Sequence, residues 1–356
     1  MTASTLPDSG ANAGSARRPN PEESLRIFGM SMQQFRRSSV IVGLLIILLL
    51  PFTVEDFAVF QMTQVIYLSI AVLGLNLLTG FNGQFSLGHS AFMALGAYTA
   101  GIMMAQWEIA YYWTIIPAGV ICFAAGFLFG LPALRLEGLY LALATFALAT
   151  ATPQLLKYEH FEPWTGGVQG LDLFKDDSPI AFLSNDQWWY YFSLFFGVLL
   201  FIGAWNLVRG RTGRAMIAIR DNPIAASTMG INTSVYKATT FGVSGFYCGV
   251  AGALSAIVVE FIAPESFTII HAILLLIAMV IGGLASIPAA IIGGAFILYM
   301  PNFSEAVVDA FFAGDPSSKA LVWVSFGVVM IIVVYIMPMG VAGFIRWNVQ
   351  KLARRG

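Results

Sequence analysis

Long apolar runs constrain this chain more than any other feature. Residues 40–50, 66–78 and 322–337 carry few polar interruptions. A helix needs about 20 mostly apolar residues to cross the hydrocarbon core of a bilayer. Of the 356 residues, 58% are hydrophobic and 10% charged, against about 25% charged in soluble domains. A soluble fold of this length would lack the surface charge that keeps it dispersed. The expected fold class is therefore an all-α integral membrane protein of about ten transmembrane helices, some short or broken. The segments fall at about 38–55, 58–79, 89–106, 112–134, 138–156, 188–208, 238–260, 269–284, 287–300 and 320–343.

The basic residues set the expected orientation. With the N-terminus inside, Lys157, Lys175 and Lys319 alone fall outside among the 18 Lys and Arg. Stretch 269–300 is either one bent helix or two short ones. Two, turning at Gly282, Gly283, Ser286 and Pro288, keep the basic tail 346–356 inside, so both termini are expected in the cytoplasm. Residues 1–35 read as a disordered cytoplasmic tail without a signal peptide, and 36–345 as the transmembrane domain. Gly245, Gly249 and Ala253 share a helix face, as do Gly96 and Ala100, which suits close helix packing. Cys122 and Cys248 lie in apolar segments and read as small packing residues.

Three stretches stand apart from the apolar background. The first, 80–90, reads Gly-Phe-Asn-Gly-Gln-Phe-Ser-Leu-Gly-His-Ser. Polar, broken helix at membrane depth often marks a transport path. Asn76, Asn82, Gln84, Ser86 and His89 are the candidate path residues. The alternative is an ordinary turn with Ser86 capping the next helix and a structural His89. The second is the inner loop 209–237. Asp221 or Asn222 suits an N-cap, Pro223 the first helical position, and Gly230 a left-handed stop after a short helix from Ile224 to Met229. Apolar Ile224 and Met229 on a cytoplasmic loop need cover, either a partner protein or the membrane surface. The third is the outer loop 157–187, which either docks a partner, caps the path or is simply solvated.

Several function classes find no support. No P-loop, Cys/His metal spacing, H-E-x-x-H or G-x-S-x-G pattern occurs. Deep intramembrane charge is scarce, whereas ion-coupled pumps need buried acids or bases. No metal, cofactor, catalytic residue or nucleic-acid partner is expected.

The runs 74–80, 83–98, 134–140, 165–171 and 213–231 strongly resemble the LivM family. These are membrane permeases of branched-chain amino-acid ABC importers, and the resemblance covers about residues 60–345. It implies a coupling loop that sits in a groove of a cytoplasmic ATPase. Its residues would be Arg220, Asp221, Asn222, Pro223, Ile224, Ala225, Ala226, Met229 and Gly230. The general pattern of such loops, Glu-Ala-Ala with Gly four residues on, has Ile224 in the Glu place. The resemblance further implies a homologous second permease of the LivH type, two ATPase subunits, a periplasmic binding protein and residence in a bacterial inner membrane. Related permeases carry urea, short amides or aromatic acids; the run Gly83-Gln-Phe-Ser leans towards amino acids. An ion-coupled secondary transporter and a membrane-embedded enzyme are the rival classes.

Overall fold

The computed structural model describes residues 26–27, 30–31, 47–136, 138–174, 178–180, 182–312, 319–337, 340–344 and 348. Half of the first predicted apolar segment, 38–55, and nearly all of both predicted tails lie outside these. Within the predicted disordered tail, β1 (Arg26–Ile27) and β2 (Met30–Ser31) form a small antiparallel ladder. They belong to a unit distinct from residues 51–346.

The larger unit is helical. In chain order it contains α1 (Asp56–Leu75), α2 (His89–Trp107), α3 (Tyr111–Ala133), α4 (Leu139–Leu156) and the short α5 (Glu162–Thr165). Then follow β3 (Leu171–Asp172), α6 (Asn185–Arg209), α7 (Arg211–Asp221), α8 (Pro223–Thr228), α9 (Thr233–Val259) and β4 (Phe261–Ile262). The chain continues through α10 (Ile269–Gly282), α11 (Ala289–Phe312) and α12 (Lys319–Ile336). Among the described residues six helices are long and apolar enough to cross a membrane: α1 with its extension to Phe81, α3, α4, α6, α9 and α11.

Burial orders these helices. In the most apolar stretch of α9, 83% of residues are buried inside the protein, against 22% for α6. Helix α9 is thus surrounded by protein, packing on α1, α2 and α3. Helix α6 turns most of its surface to the surroundings, with Phe195, Leu199 and Ile202 exposed. Without a hydrophobic drive inside a bilayer, helix association depends on close backbone approach. Small residues supply it. A Cβ on Gly245 would come within 2.6 Å of the Cys122 carbonyl, and one on Gly96 would strike the Gly249 backbone. The predicted glycine stripes are helix contacts. Cys122 and Cys248 are free, buried packing residues.

Stretch 269–300 is two helices, turning through Gly283 to Pro288, with Gly283 and Ala285 at positive φ. The second runs well past the predicted end at 300, because Pro301 is accommodated inside it. Neighbouring groups can re-satisfy a backbone freed by proline in such helices. Helix α12 stops at Ile336, earlier than the predicted 343, since Pro338 follows.

Loop 157–187 is not merely solvated. Thr165 Oγ1 donates to the Leu156 carbonyl at 2.8 Å, and Gly166, Gly167 and Gly170 adopt positive φ. Strand β3 pairs antiparallel with β4, and Leu173 N donates to the Glu260 carbonyl at 2.8 Å. Lys157 and Glu265 form an ion pair at 2.5 Å, which holds the Glu265 carboxyl below its ordinary range. Together these tie the loop to the corner between α9 and α10.

Candidate functional site

Helix α1 does not end where its α-helical bonds end; it widens into a π-helical turn, Asn76–Phe81. Such turns are rare and concentrate at functional sites. Asn76 is buried there. Its Oδ1 accepts the Ala285 amide at 2.9 Å, and its Nδ2 donates to the Ser286 carbonyl at 3.0 Å. One side chain therefore clamps the turn between α10 and α11. Gly80 has to be glycine, because a Cβ would run into Asn76 and reach 2.7 Å from Ala285 N.

The loop that follows is a closed polar knot. Asn82 Nδ2 donates to Gln84 Oε1 at 2.8 Å, and Thr79 Oγ1 to the Gln84 carbonyl at 3.0 Å. The Leu87 amide donates to Thr145 Oγ1 on α4 at 2.9 Å. Helix α2 starts with Gly88 as its N-cap residue and without a side-chain cap. Ser86 thus does not cap α2; its Oγ accepts the Gly88 amide at 3.2 Å and lies 3.1 Å from His89 Nδ1.

The direction of bonding around His89 follows from its far end. The Gly74 carbonyl can only accept, so Ser244 Oγ donates to it at 2.6 Å. With its proton so used, Ser244 Oγ accepts from His89 Nε2 at 2.6 Å. Nδ1 is then the acceptor of a neutral ring and takes the Ser86 hydroxyl proton. The chain from Ser86 through His89 to Ser244 joins the knot to α9 and α1. Asn76, Asn82, Gln84, Ser86 and His89 are brought together in one region and are all buried.

The predicted short helix in loop 209–237 is present as α8. Asn222 is its N-cap: Oδ1 accepts the Ala225 amide at 3.0 Å, Pro223 takes the first position, and Gly230 sits at φ +83°. Ala226 is buried, whereas Ile224 is 76% and Met229 84% exposed. The loop also contains α7, which sequence reasoning missed. Its residues are too polar to signal a span, and its inward face is only Gly213, Ala215, Met216 and Ile219. In the last turn of α7, Arg220 ties exposed loop to buried knot. Its Nη1 donates to the Gly80 carbonyl at 3.0 Å, and its Nε and Nη2 donate to Asp221 Oδ1. The Arg220 stem lies against Gly83, which is at φ +75°; a Cβ there would be 2.8 Å from Arg220 Cγ. Among the described residues no group of His, Cys, Asp or Glu could hold a metal ion.

Sequence reasoning singled out neither Ser244 nor Thr145. Ser244 sits beside the glycine stripe of α9 and reads there as one more small residue. Nothing local reveals its bond to a histidine 155 positions away.

A helical membrane protein with an exposed, capped short helix tied by Arg220 to a buried polar loop is the class these features define. Within it, the chain belongs to the family of branched-chain amino acid transport system permease components, whose model matches residues 57–334. It is 32% identical over 286 residues to the high-affinity branched-chain amino acid transport system permease protein LivM of Salmonella typhimurium and of Escherichia coli. That match covers 72% of this chain and 66% of each relative, so the chain spans just under two thirds of their length. A probable branched-chain amino acid transport permease protein LivH of Methanocaldococcus jannaschii is 32% identical over 162 residues, 45% of this chain and 49% of that one. No solved structure matches.

Proposed function

We propose that this chain is a transmembrane permease subunit of an ABC importer for branched-chain amino acids. It forms half of the translocation path and is driven by ATPase subunits on separate chains. A homologous second permease completes the path, and a periplasmic binding protein delivers the solute. The names of the LivM and LivH relatives support this reading. The observation that carries it is α8: two large apolar side chains, Ile224 and Met229, stand in the open on a helix that is itself firmly capped. Apolar side chains exposed together on a polar loop mark an interaction surface. Residues 220–230 are the coupling segment in this reading, and Arg220 passes its movement to the π-helical turn. Asn76, Asn82, Gln84, Ser86 and His89 act as a gate beneath it. The chain crosses a bacterial inner membrane about ten times with both termini in the cytoplasm.

Isolation of the full chain in mild detergent tests the class. Two ATPases and a second permease are expected to co-purify, and the chain alone would contradict the proposal. Gly230 tests the coupling segment: its φ of +83° is costly for a branched side chain, although nothing lies within 4 Å of a Cβ there. Gly230→Val is expected to lower leucine uptake at least tenfold while the binding protein still binds leucine. Unchanged uptake would remove α8 from the coupling role.

A further inference from the structure

We propose that a cavity at the end of α9 opposite the docking helix is a transit subsite for a small solute with an aliphatic body and a hydrogen-bond-donating head. This rests on the permease reading above and names where in this chain the solute passes. The cavity has a volume of about 280 Å³. That is just below the ~300–1,000 Å³ typical of ligand pockets, which are mostly apolar with a few placed polar groups. Here Met93, Ile262 and Phe267 are buried and form apolar walls, and buried Tyr67 adds a ring that carries a hydroxyl. Ser266, exposed on the corner between β4 and α10, marks the mouth.

Two polar groups are aimed for use. Ser255 Oγ donates its proton to the Gly252 carbonyl at 2.8 Å, so towards a ligand it is an acceptor. His271 lines the same cavity, with its ring edge-on to Phe267 at 6.5 Å, and its buried Nε2 has no hydrogen-bond partner. A buried polar atom left unpaired is costly, and a ligand N–H or O–H relieves it. No Asp, Glu, Lys or Arg lines the cavity. Glu265, next to the mouth, is engaged with Lys157. With His271 protonated on Nδ1, an ammonium or amide head is met by two acceptors, Ser255 Oγ and His271 Nε2, and a branched aliphatic tail by the apolar walls. The α-carboxylate of an amino acid can take only the Tyr67 and Ser266 hydroxyls as donors, and the further carboxylate of glutamate finds no cation. Neutral partners also make for weak holding, which suits a site that a solute must leave.

The full chain carrying Ser255→Cys, in membrane vesicles with its partners, gives the test. Alkylation of the new thiol by a small maleimide is followed over the parent, whose own cysteines are buried. Millimolar L-leucine is expected to slow alkylation at least threefold and saturably, and L-glutamate not at all. Adding His271→Leu is expected to raise the half-protecting leucine concentration at least fivefold. Should Ser255→Cys fail to accumulate, Ser266→Cys at the mouth gives the same readout. Alkylation indifferent to leucine in vesicles that still take leucine up overturns the subsite and leaves the permease reading standing. So does equal protection by glutamate. Vesicles that take up no leucine with ATP present overturn both.

Discussion

Gly83 and Gly230 are both left-handed, at φ +75° and +83°, yet they face different surroundings. A Cβ on Gly83 meets the Arg220 stem at 2.8 Å; a Cβ on Gly230 meets nothing within 4 Å. Each Ala substitution incurs a backbone penalty of about 1–2 kcal/mol, and Gly83→Ala adds the clash. Thermal unfolding in detergent is expected to show the larger loss for Gly83→Ala; equal losses would mean that Arg220 does not rest on Gly83. Histidine 89 is a second case. His89→Phe removes the link between the Ser86 and Ser244 hydroxyls, and each buried group left unpaired costs about 1–3 kcal/mol. The expected outcome is lower stability together with lower uptake per folded molecule; unchanged uptake per folded molecule would leave His89 a structural residue and remove it from the gate. Residues were legible from sequence where their partners are local. Asn222, Pro223 and Gly230 act on neighbours a turn away and could be assigned by position. Asn76 could be marked as polar in an apolar run, but its partners at Ala285 and Ser286 lie more than 200 positions on.

Among the elements, the π-helical turn and α7 were invisible in the sequence, and for different reasons. The π turn, Asn-Leu-Leu-Thr-Gly-Phe, carries no sequence signature that sets a π-helix apart from an α-helix or a turn. Helix α7 is short and arginine-rich, and hydropathy reads it as loop. Together they define the link that Arg220 makes. Arg220→Met keeps the stem on Gly83 but loses the bond to the Gly80 carbonyl. It is expected to leave the complex assembled while the ATP consumed per solute imported rises severalfold; an unchanged ratio would show that the link transmits nothing. At the other end, the clamp of Lys157 on Glu265 has a definite pH sign. The folded state lowers the Glu265 carboxyl, so the clamp is intact above the usual carboxylate range and is lost as pH falls through the lowered value. Proteolytic nicking within 157–174 is expected to be insensitive to pH near neutrality and to rise only in acid. Glu265→Gln is expected to abolish that dependence.

On the scale of the whole molecule, α9 decides the arrangement. Its small residues let α1, α2 and α3 approach, and its two ends carry the two regions proposed to be functional, α8 before Thr233 and the cavity that Ser255 lines. At ~1.5 Å per residue the 27 residues of α9 span about 40 Å, enough to cross a bilayer. The apolar runs made the spans legible because length alone defines them. Which of them is surrounded by protein was not legible, since mean hydropathy is alike for α9 and α1, at 1.7 each. The central claim is that α8 is the docking element of a chain whose energy comes from another polypeptide. The most direct test places a photo-activated cross-linking residue at Met229, 84% exposed here, in the assembled membrane complex. The account predicts an adduct with a nucleotide-hydrolysing subunit that forms in native membranes and is lost when that subunit is absent. Adducts with lipid alone would contradict it.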